Sequence, residues 1–291
     1  MRHASSALVL FVCVGVVGGA DADPIKAKHE AAEKAHDADL KRASQAVLDS
    51  FDKREKTARN KGNKKLLDQI KEERAAFAES AECPPVALLE FEQQLSTAHG
   101  RMIGAYKSAI RDYTKAKKDD NASAVEISLE TFQRDRWKHM NIESASVKDD
   151  FLQLRAASLV TPKQVSGPFE VVAVARTAAA SIRFRAYSGS CVIFNWEDNI
   201  RELRVARPDG GEKPESGSVA SGKLNPLRPN TWYMLRWRVA PDRIEVYVNE
   251  KLIFVERRAY DLSGRGAVSI TAEGRGDVRY IRVINRANKG E

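Results

Sequence analysis

The residues best suited to recognising a charged ligand are four arginines in two alternating triplets. Arg183 and Arg185 flank Phe184, and Arg236 and Arg238 flank Trp237. Successive side chains of an extended strand point to opposite faces, so each arginine pair projects away from its aromatic neighbour. If the two strands share a sheet, the four guanidinium groups form one basic face able to hold carboxylates or sulfates through paired N–H donors. The alternative is an ordinary solvated face in which the arginines are interleaved with Glu202, Glu245 and Glu256. A second cluster, Tyr187, Asn195, Trp196, Glu197 and Asn199, gathers around one strand end. An exposed indole beside amides and a carboxylate suits the apolar face and the hydroxyls of a sugar. Val192, Phe194 and Trp196 alternate, however, and that pattern places Trp196 in the core instead.

Chemistry beyond binding has little support. Glu197 and Glu202 are five positions apart, which on a single strand directs them to opposite faces. Paired catalytic carboxylates need a shared face. All five histidines lie at or before His139, so the second half contains no Ser/His triad, His-ligated metal or His base of its own. His29 and His36, seven apart, share a helical face but sit two turns distant, and they read as solvated surface residues. No catalytic residue, metal ligand or cofactor is therefore expected. Asn121-Ala122-Ser123 is a glycosylation sequon, and Asn121 is also expected to cap a helix.

These side chains belong to a chain that changes character near Thr161-Pro162. The net charge is +8, and from Lys163 onward there are 22 Lys and Arg against 15 Asp and Glu, 17 of the cations being arginine. At the other end, Met1-Arg2-His3 is basic, Ala7 to Val17 is an apolar run of 11 residues, and Gly18 to Ala22 supplies small residues. That is the pattern of a secretory signal peptide, and its apolar run falls well short of the roughly 20 residues that span a bilayer. Residues 1–22 are read as a leader and the mature chain as secreted or periplasmic, with no membrane span. Export argues against nucleic acid as the partner; a polysaccharide or other anionic cell-envelope polymer fits both address and charge. Two cysteines remain, Cys83 and Cys191, one in each half, and they read as separate buried thiols or as one disulfide between the halves.

Residues 25–150 contain few Pro or Gly, and helix breaks are expected at Lys61-Gly62-Asn63 and at Cys83-Pro84-Pro85, with Asp119-Asp120-Asn121 as a third. Four helices follow. Apolar seams run through Leu40, Val47 and Phe51, through Leu66, Ile70 and Phe77, through Leu88, Phe91, Leu95, Ala98 and Met102, and through Val125, Leu129 and Phe132. Long helix, tight turn and shorter returning helix occur twice. The helices read either as a stalk or self-associating arm, or as a compact bundle. Residues 151–166 read as a linker. Beyond it, Tyr233, Leu235, Trp237 and Val239 alternate with polar residues, and strands are expected at Phe169–Arg176, Ser181–Tyr187, Cys191–Trp196, Glu202–Ala206, Ile244–Val248, Leu252–Val255, Ala267–Ala272 and Val278–Ile284.

The run from Trp232 through Trp237, Ile244 to Leu252, Gly266 to Ile270 and Val278 to Val283 resembles the closing strands of concanavalin A-like lectin/glucanase jelly rolls, including laminin G-like and 3-keto-disaccharide hydrolase types. A helical segment ahead of such a sandwich is similar to exported planctomycete proteins. The resemblance implies an antiparallel β-sandwich over 167–286 and hence an α + β multidomain chain. It implies a carbohydrate-binding role, with hydrolysis of glycosides as the alternative. It also admits calcium as a cofactor, although no Asp/Asn ligand run supports one. Glu250 departs from the family hairpin, which usually carries Gly, so a different turn type is expected. Secreted material should begin at Asp21 or Asp23, and N-terminal sequencing that starts at Met1 would overturn the export assignment.

Overall fold

A computed structural model describes residues 23–80, 83–138, 140, 145–155, 158–178, 181–196, 199–208, 218–220 and 226–286; the leader and Glu197 lie outside them. Four helices come first, α1 (Pro24–Asn60), α2 (Lys64–Ser80), α3 (Pro85–Lys115) and α4 (Asp119–Asp135). Two antiparallel sheets follow. The larger runs in the spatial order β1 (Ser146–Lys148), β2 (Phe151–Arg155), β13 (Arg275–Asn285), β4 (Phe169–Thr177), β9 (Tyr233–Ala240), β10 (Arg243–Val248) and β11 (Lys251–Arg257). The smaller runs β3 (Ser158–Ser166), β12 (Arg265–Ala272), β5 (Ile182–Arg185), β6 (Cys191–Phe194), β7 (Leu203–Ala206) and β8 (Ser218–Ala220). The inner faces meet over a core that includes Phe169, Phe184, Phe194, Leu235, Trp237 and Ile270.

Local chemistry explains the helix ends. Asp23 accepts N–H bonds from Ile25 at 3.0 Å and Lys26 at 3.4 Å, and Pro24 follows at the first helical position. Lys118 Nζ, 3.0 Å away, with these N–H groups, holds the Asp23 carboxyl below its usual range. Gly62 takes the left-handed turn (φ 62°) that ends α1, and Asn63 Oδ1 then accepts the Leu66 N–H at 3.0 Å to start α2. The third break lies two residues earlier than expected: Lys117 makes the left-handed turn (φ 58°) and Lys118 precedes α4. Asn121 is accordingly inside the first turn, not the cap, behind Asp119 and Asp120, whose charges suit the helix dipole there.

The hairpins α1–α2 and α3–α4 fold back as the sequence suggests, but they form no stalk. At about 55 Å, α1 is long enough for one. Its buried Val47 and Phe51 instead join Ile70 and Phe77 of α2, Leu88 and Phe91 of α3, and Val172, Val174 and Met234 from the outer face of the larger sheet in one apolar cluster. The helices form a bundle laid across that sheet. Strand β4 is thus buried on both sides, with Phe169, Val171, Ala173 and Ala175 facing the sandwich core and Val172 and Val174 facing the helices.

Residues 151–166 are not a linker. Leu152 and Leu154 of β2 and Leu159 and Val165 of β3 are buried in the sandwich core. Pro162, at the point where the chain changes character, is accommodated because β3 is an edge strand and its register with β12 slips beside the proline. There the Thr161 hydroxyl accepts the Val268 N–H at 3.2 Å and donates to the Val268 carbonyl at 3.1 Å, replacing backbone pairing. Cys83 and Cys191 are separate buried thiols in different cores, and burial pushes the Cys83 thiol up to about 12.

His29 and His36 are not solvated. Their side chains are only 15% and 11% exposed, turned into the seam between α1, α3 and α4. His29 packs on Tyr106 (ring centroids 4.5 Å), while His36 meets His99 at 5.2 Å and Phe132 at 5.4 Å. His29 Nδ1 and His36 Nε2 are buried without hydrogen-bond partners. Burial lowers the His36 pKa against the pull of Asp37 and Asp39. Burial, reinforced by Arg136, lowers that of His99 to about 4. An imidazole whose folded-state pKa lies below its ordinary value stabilises the fold above about pH 6.5, and this contribution fades as pH falls toward 4. His99→Asn should therefore flatten the loss of stability between pH 6.5 and 4 by on the order of 2–3 kcal/mol relative to the parent chain. Urea melts with equal pH slopes for the two proteins would refute this.

Candidate functional site

The four arginines do not converge. Arg183 and Arg185 stand on β5, paired with β12 and β6 in the smaller sheet; Arg236 and Arg238 stand on β9, between β4 and β10 in the larger. Both pairs point outward, from opposite sides of the sandwich. Most of this charge is also occupied. Arg183 Nη2 meets Glu273 at 3.2 Å, and Arg238 Nη1 meets Glu245 at 3.6 Å. Arg236 lies 3.7 Å over the Tyr247 ring, 3.1 Å from Glu250 and 3.8 Å from the fully buried Glu170. Arg185 is exposed.

The aromatic and amide cluster is dispersed as well. Tyr187 is buried in a single 3-10 turn, its hydroxyl donating to the Gly167 carbonyl at 2.8 Å and its ring edge-on to Phe169. Burial first, then Asp261, pushes its pKa up to about 12. Asn195 adopts a left-handed conformation (φ 54°) that interrupts the alternation of β6. Val192 and Phe194 face the core, whereas Trp196 packs outside with Ile193 and Cys191, under the Arg204 guanidinium at 3.4 Å. Trp196 is thus neither a core residue nor a free stacking platform. Asn199 donates to Glu202 at 2.9 Å, and Arg204 pairs with the same carboxylate at 3.1 Å. Among the described residues, no three His, Cys, Asp or Glu side chains lie close enough to hold a metal, and no helix is long and apolar enough to cross a membrane.

What the structure does assemble is an open cleft of about 500 Å³ at the end of the sandwich, where the β6–β7 turn, the segment before β9 and the β10–β11 hairpin meet. Each wall is fixed by specific bonds. Asn195 clamps the Leu227 backbone from both sides, Nδ2 donating to its carbonyl at 2.9 Å and Oδ1 accepting its N–H at 2.8 Å. The Tyr233 hydroxyl accepts the Arg228 N–H at 3.0 Å. In the β6–β7 turn Asn199 Oδ1 accepts the Arg201 N–H at 3.2 Å, a local turn that leaves Ile200 52% exposed. The hairpin tip has both central residues at positive φ, Asn249 at 47° and Glu250 at 63°, so the turn has the type I′ signature despite the missing Gly. Asn249 exchanges bonds with Met234, its N–H donating at 2.8 Å and its Oδ1 accepting at 2.9 Å, while Glu250 reaches Arg236. Burial raises the Glu250 pKa against the opposing effect of Arg236. The turn delivers Lys251 and Leu252 to the cleft, beside Tyr233.

Among the described residues, Asn195 is the one expected site residue that lines this cleft, and its polar atoms are spent on Leu227. Tyr233, Ile200, Arg201, Arg228, Lys251 and Leu252 are newly placed here by the fold.

No family model matches the chain, and no curated protein matches its sequence. Solved structures similar to it include the exoplasmic/lumenal domain of VIP36 in its metal-free form (10% identity, TM-score 0.37, 49% of this chain and 82% of that one). Another is the carbohydrate binding module CBM66 from Bacillus subtilis (10% identity, TM-score 0.36, 48% and 89%). A putative glycosyl hydrolase from Parabacteroides distasonis is a third (11% identity, TM-score 0.35, 50% and 84%).

Asn195→Ala should cost about 1–3 kcal/mol by leaving both Leu227 backbone groups unpaired, with roughly 1 kcal/mol more for alanine in a left-handed conformation. Asn195→Gly should recover only the conformational part. Denaturant melts in which Gly restores full stability would show that the clamp contributes nothing.

Proposed function

We propose that this is an exported, non-catalytic binding protein whose β-sandwich holds carbohydrate in the end cleft, with the helices bracing the sheet behind it. The observation that carries the reading is the composition of the cleft. Its apolar surface, with Tyr233, Leu252 and Ile253, is rimmed by charged and polar groups, and its volume lies within the roughly 300–1,000 Å³ typical of small-ligand sites. Such a mixture suits a pyranose, which has one apolar face and a polar circumference. Glu202 is the single carboxylate among the described lining residues, and Arg204 and Asn199 already engage it. Retaining hydrolysis requires two carboxyl groups about 5–5.5 Å apart. Those lining residues supply one.

A glycan array probed with the full mature chain tests the reading. Capture of a defined set of oligosaccharides is expected, without release of new reducing ends, and Leu252→Asp should abolish capture while leaving the melting temperature within a degree or two, because Leu252 is exposed. Cleavage of a captured sugar would favour a glycoside hydrolase instead, and capture untouched by Leu252→Asp would move the site away from the cleft.

A further inference from the structure

The cations at the mouth of the end cleft differ from many others on the sandwich. Arg176 faces Asp277 at 2.8 Å, Arg207 faces Glu256 at 2.8 Å, Arg243 faces Asp242 at 2.7 Å, and Arg286 pairs with Glu170. Arg201, Arg228 and Lys251 are exposed and line the cleft, yet among the described residues none of them pairs with an acid. They come from three separate segments: the β6–β7 turn, the stretch before β9 and the first residue of β11. The carboxylate beside them, Glu202, is offset by Arg204 on the outer side of the smaller sheet. Among the described residues, the cleft therefore presents three positive charges with no facing acid around an apolar surface.

Building on the reading of this cleft as a saccharide site, we propose that it selects acidic saccharides, chains bearing carboxylate or sulfate groups. A sugar ring seated against Tyr233 and Leu252 brings its substituents to the rim, where guanidinium and ammonium donors supply charge-assisted hydrogen bonds to an anion. A neutral sugar gains the apolar contact but leaves the rim cations solvated, so the preference is a difference that the rim alone creates. Because the rim is exposed, the attraction is screened at separations beyond about 8 Å at physiological ionic strength and weakens with added salt.

The test compares matched probes on the full mature chain by titration calorimetry: oligogalacturonate with its neutral methyl ester, and a heparin-derived oligosaccharide with its desulfated counterpart. At least one acidic probe should bind about tenfold or more tightly than its neutralised partner. Arg201→Ser with Lys251→Ser should weaken that binding by about three- to thirty-fold and reduce its salt dependence, as expected for two exposed charge contacts. Circular dichroism should show the double variant folded. Which acidic probe binds distinguishes carboxylate from sulfate recognition. Equal binding of acidic and neutralised partners would overturn the acidic preference while leaving a saccharide site in place. Acidic binding unchanged in the double variant would overturn it by placing recognition elsewhere, for example at Arg185. Failure of every oligosaccharide, acidic or neutral, would remove the saccharide reading and this inference together.

Discussion

The outer face of the larger sheet cannot be left in water. Val172 and Val174 of β4 and Met234 of β9 project from it, and the helices cover them with Phe51, Phe77, Leu88 and Phe91. The cover brings charges into the same boundary. Glu170, fully buried between Val171 and its sheet neighbours, pairs with Arg286 and Arg236. Glu92 of α3 is also buried, which raises its pKa, and it is held by Arg136 beyond the end of α4. Arg136 in turn donates to the Arg279 carbonyl at 2.9 Å, and the Arg279 side chain meets Asp150 at 3.2 Å while resting 4.1 Å over Trp232. Removing one member of such a buried pair leaves an uncompensated charge, a far larger penalty than the pair's net contribution to stability. Apolar cover and paired charges thus fix where the helices sit.

The same boundary shapes the cleft at the far end of β9 and β10. Arg236 meets the buried Glu170 on β4 and Glu250 at the hairpin tip. That contact gives a physical reason for glutamate at a left-handed position where glycine is the usual occupant. A non-glycine residue there costs roughly 1–2 kcal/mol, which the charge-assisted bond to Arg236 and the neighbouring Asn249–Met234 bonds can offset. Lys251 and Leu252, the next two residues, inherit their position from this arrangement. The hairpin at the cleft and the buried carboxylate of β4 therefore share one arginine.

Much of the architecture was legible in the sequence. Four helices, their order as two hairpins, and nine of the strands follow from 3.6-residue and two-residue periodicities in the expected segments. Two features escape a strand-by-strand reading. Pro162 hid β3, because nothing local announces that Thr161 will supply the hydrogen bonds a proline strand lacks. The unbroken run Val171-Val172-Ala173-Val174-Ala175 breaks the alternation of a half-solvated strand and reports burial on both faces, so the helical cover was already written in β4. Local patterns failed for the site because its parts are remote in sequence. Ile200, Arg228 and Leu252 have nothing in common until β6, β9 and β11 are stacked at one end of the sandwich.

Trp196 and the arginines show why residue type alone does not locate a site. Alternation from Val192 puts Trp196 inside, and a single left-handed residue, Asn195, puts it outside while its amide ties down Leu227. Arginine richness in the second half suggests a broad basic surface, yet several of those side chains, Arg176, Arg207, Arg236 and Arg286 among them, are engaged in fastening segments of the sandwich to one another. Net charge counts every cation equally, whereas recognition depends on those that folding leaves without a carboxylate. At the end cleft Arg201 and Arg228 belong to turns, and Lys251 faces Val248 across the β10–β11 ladder, a partner that is not an acid. Composition therefore describes the sandwich as basic, and only the pairing of its charges locates where that basicity is available to a ligand.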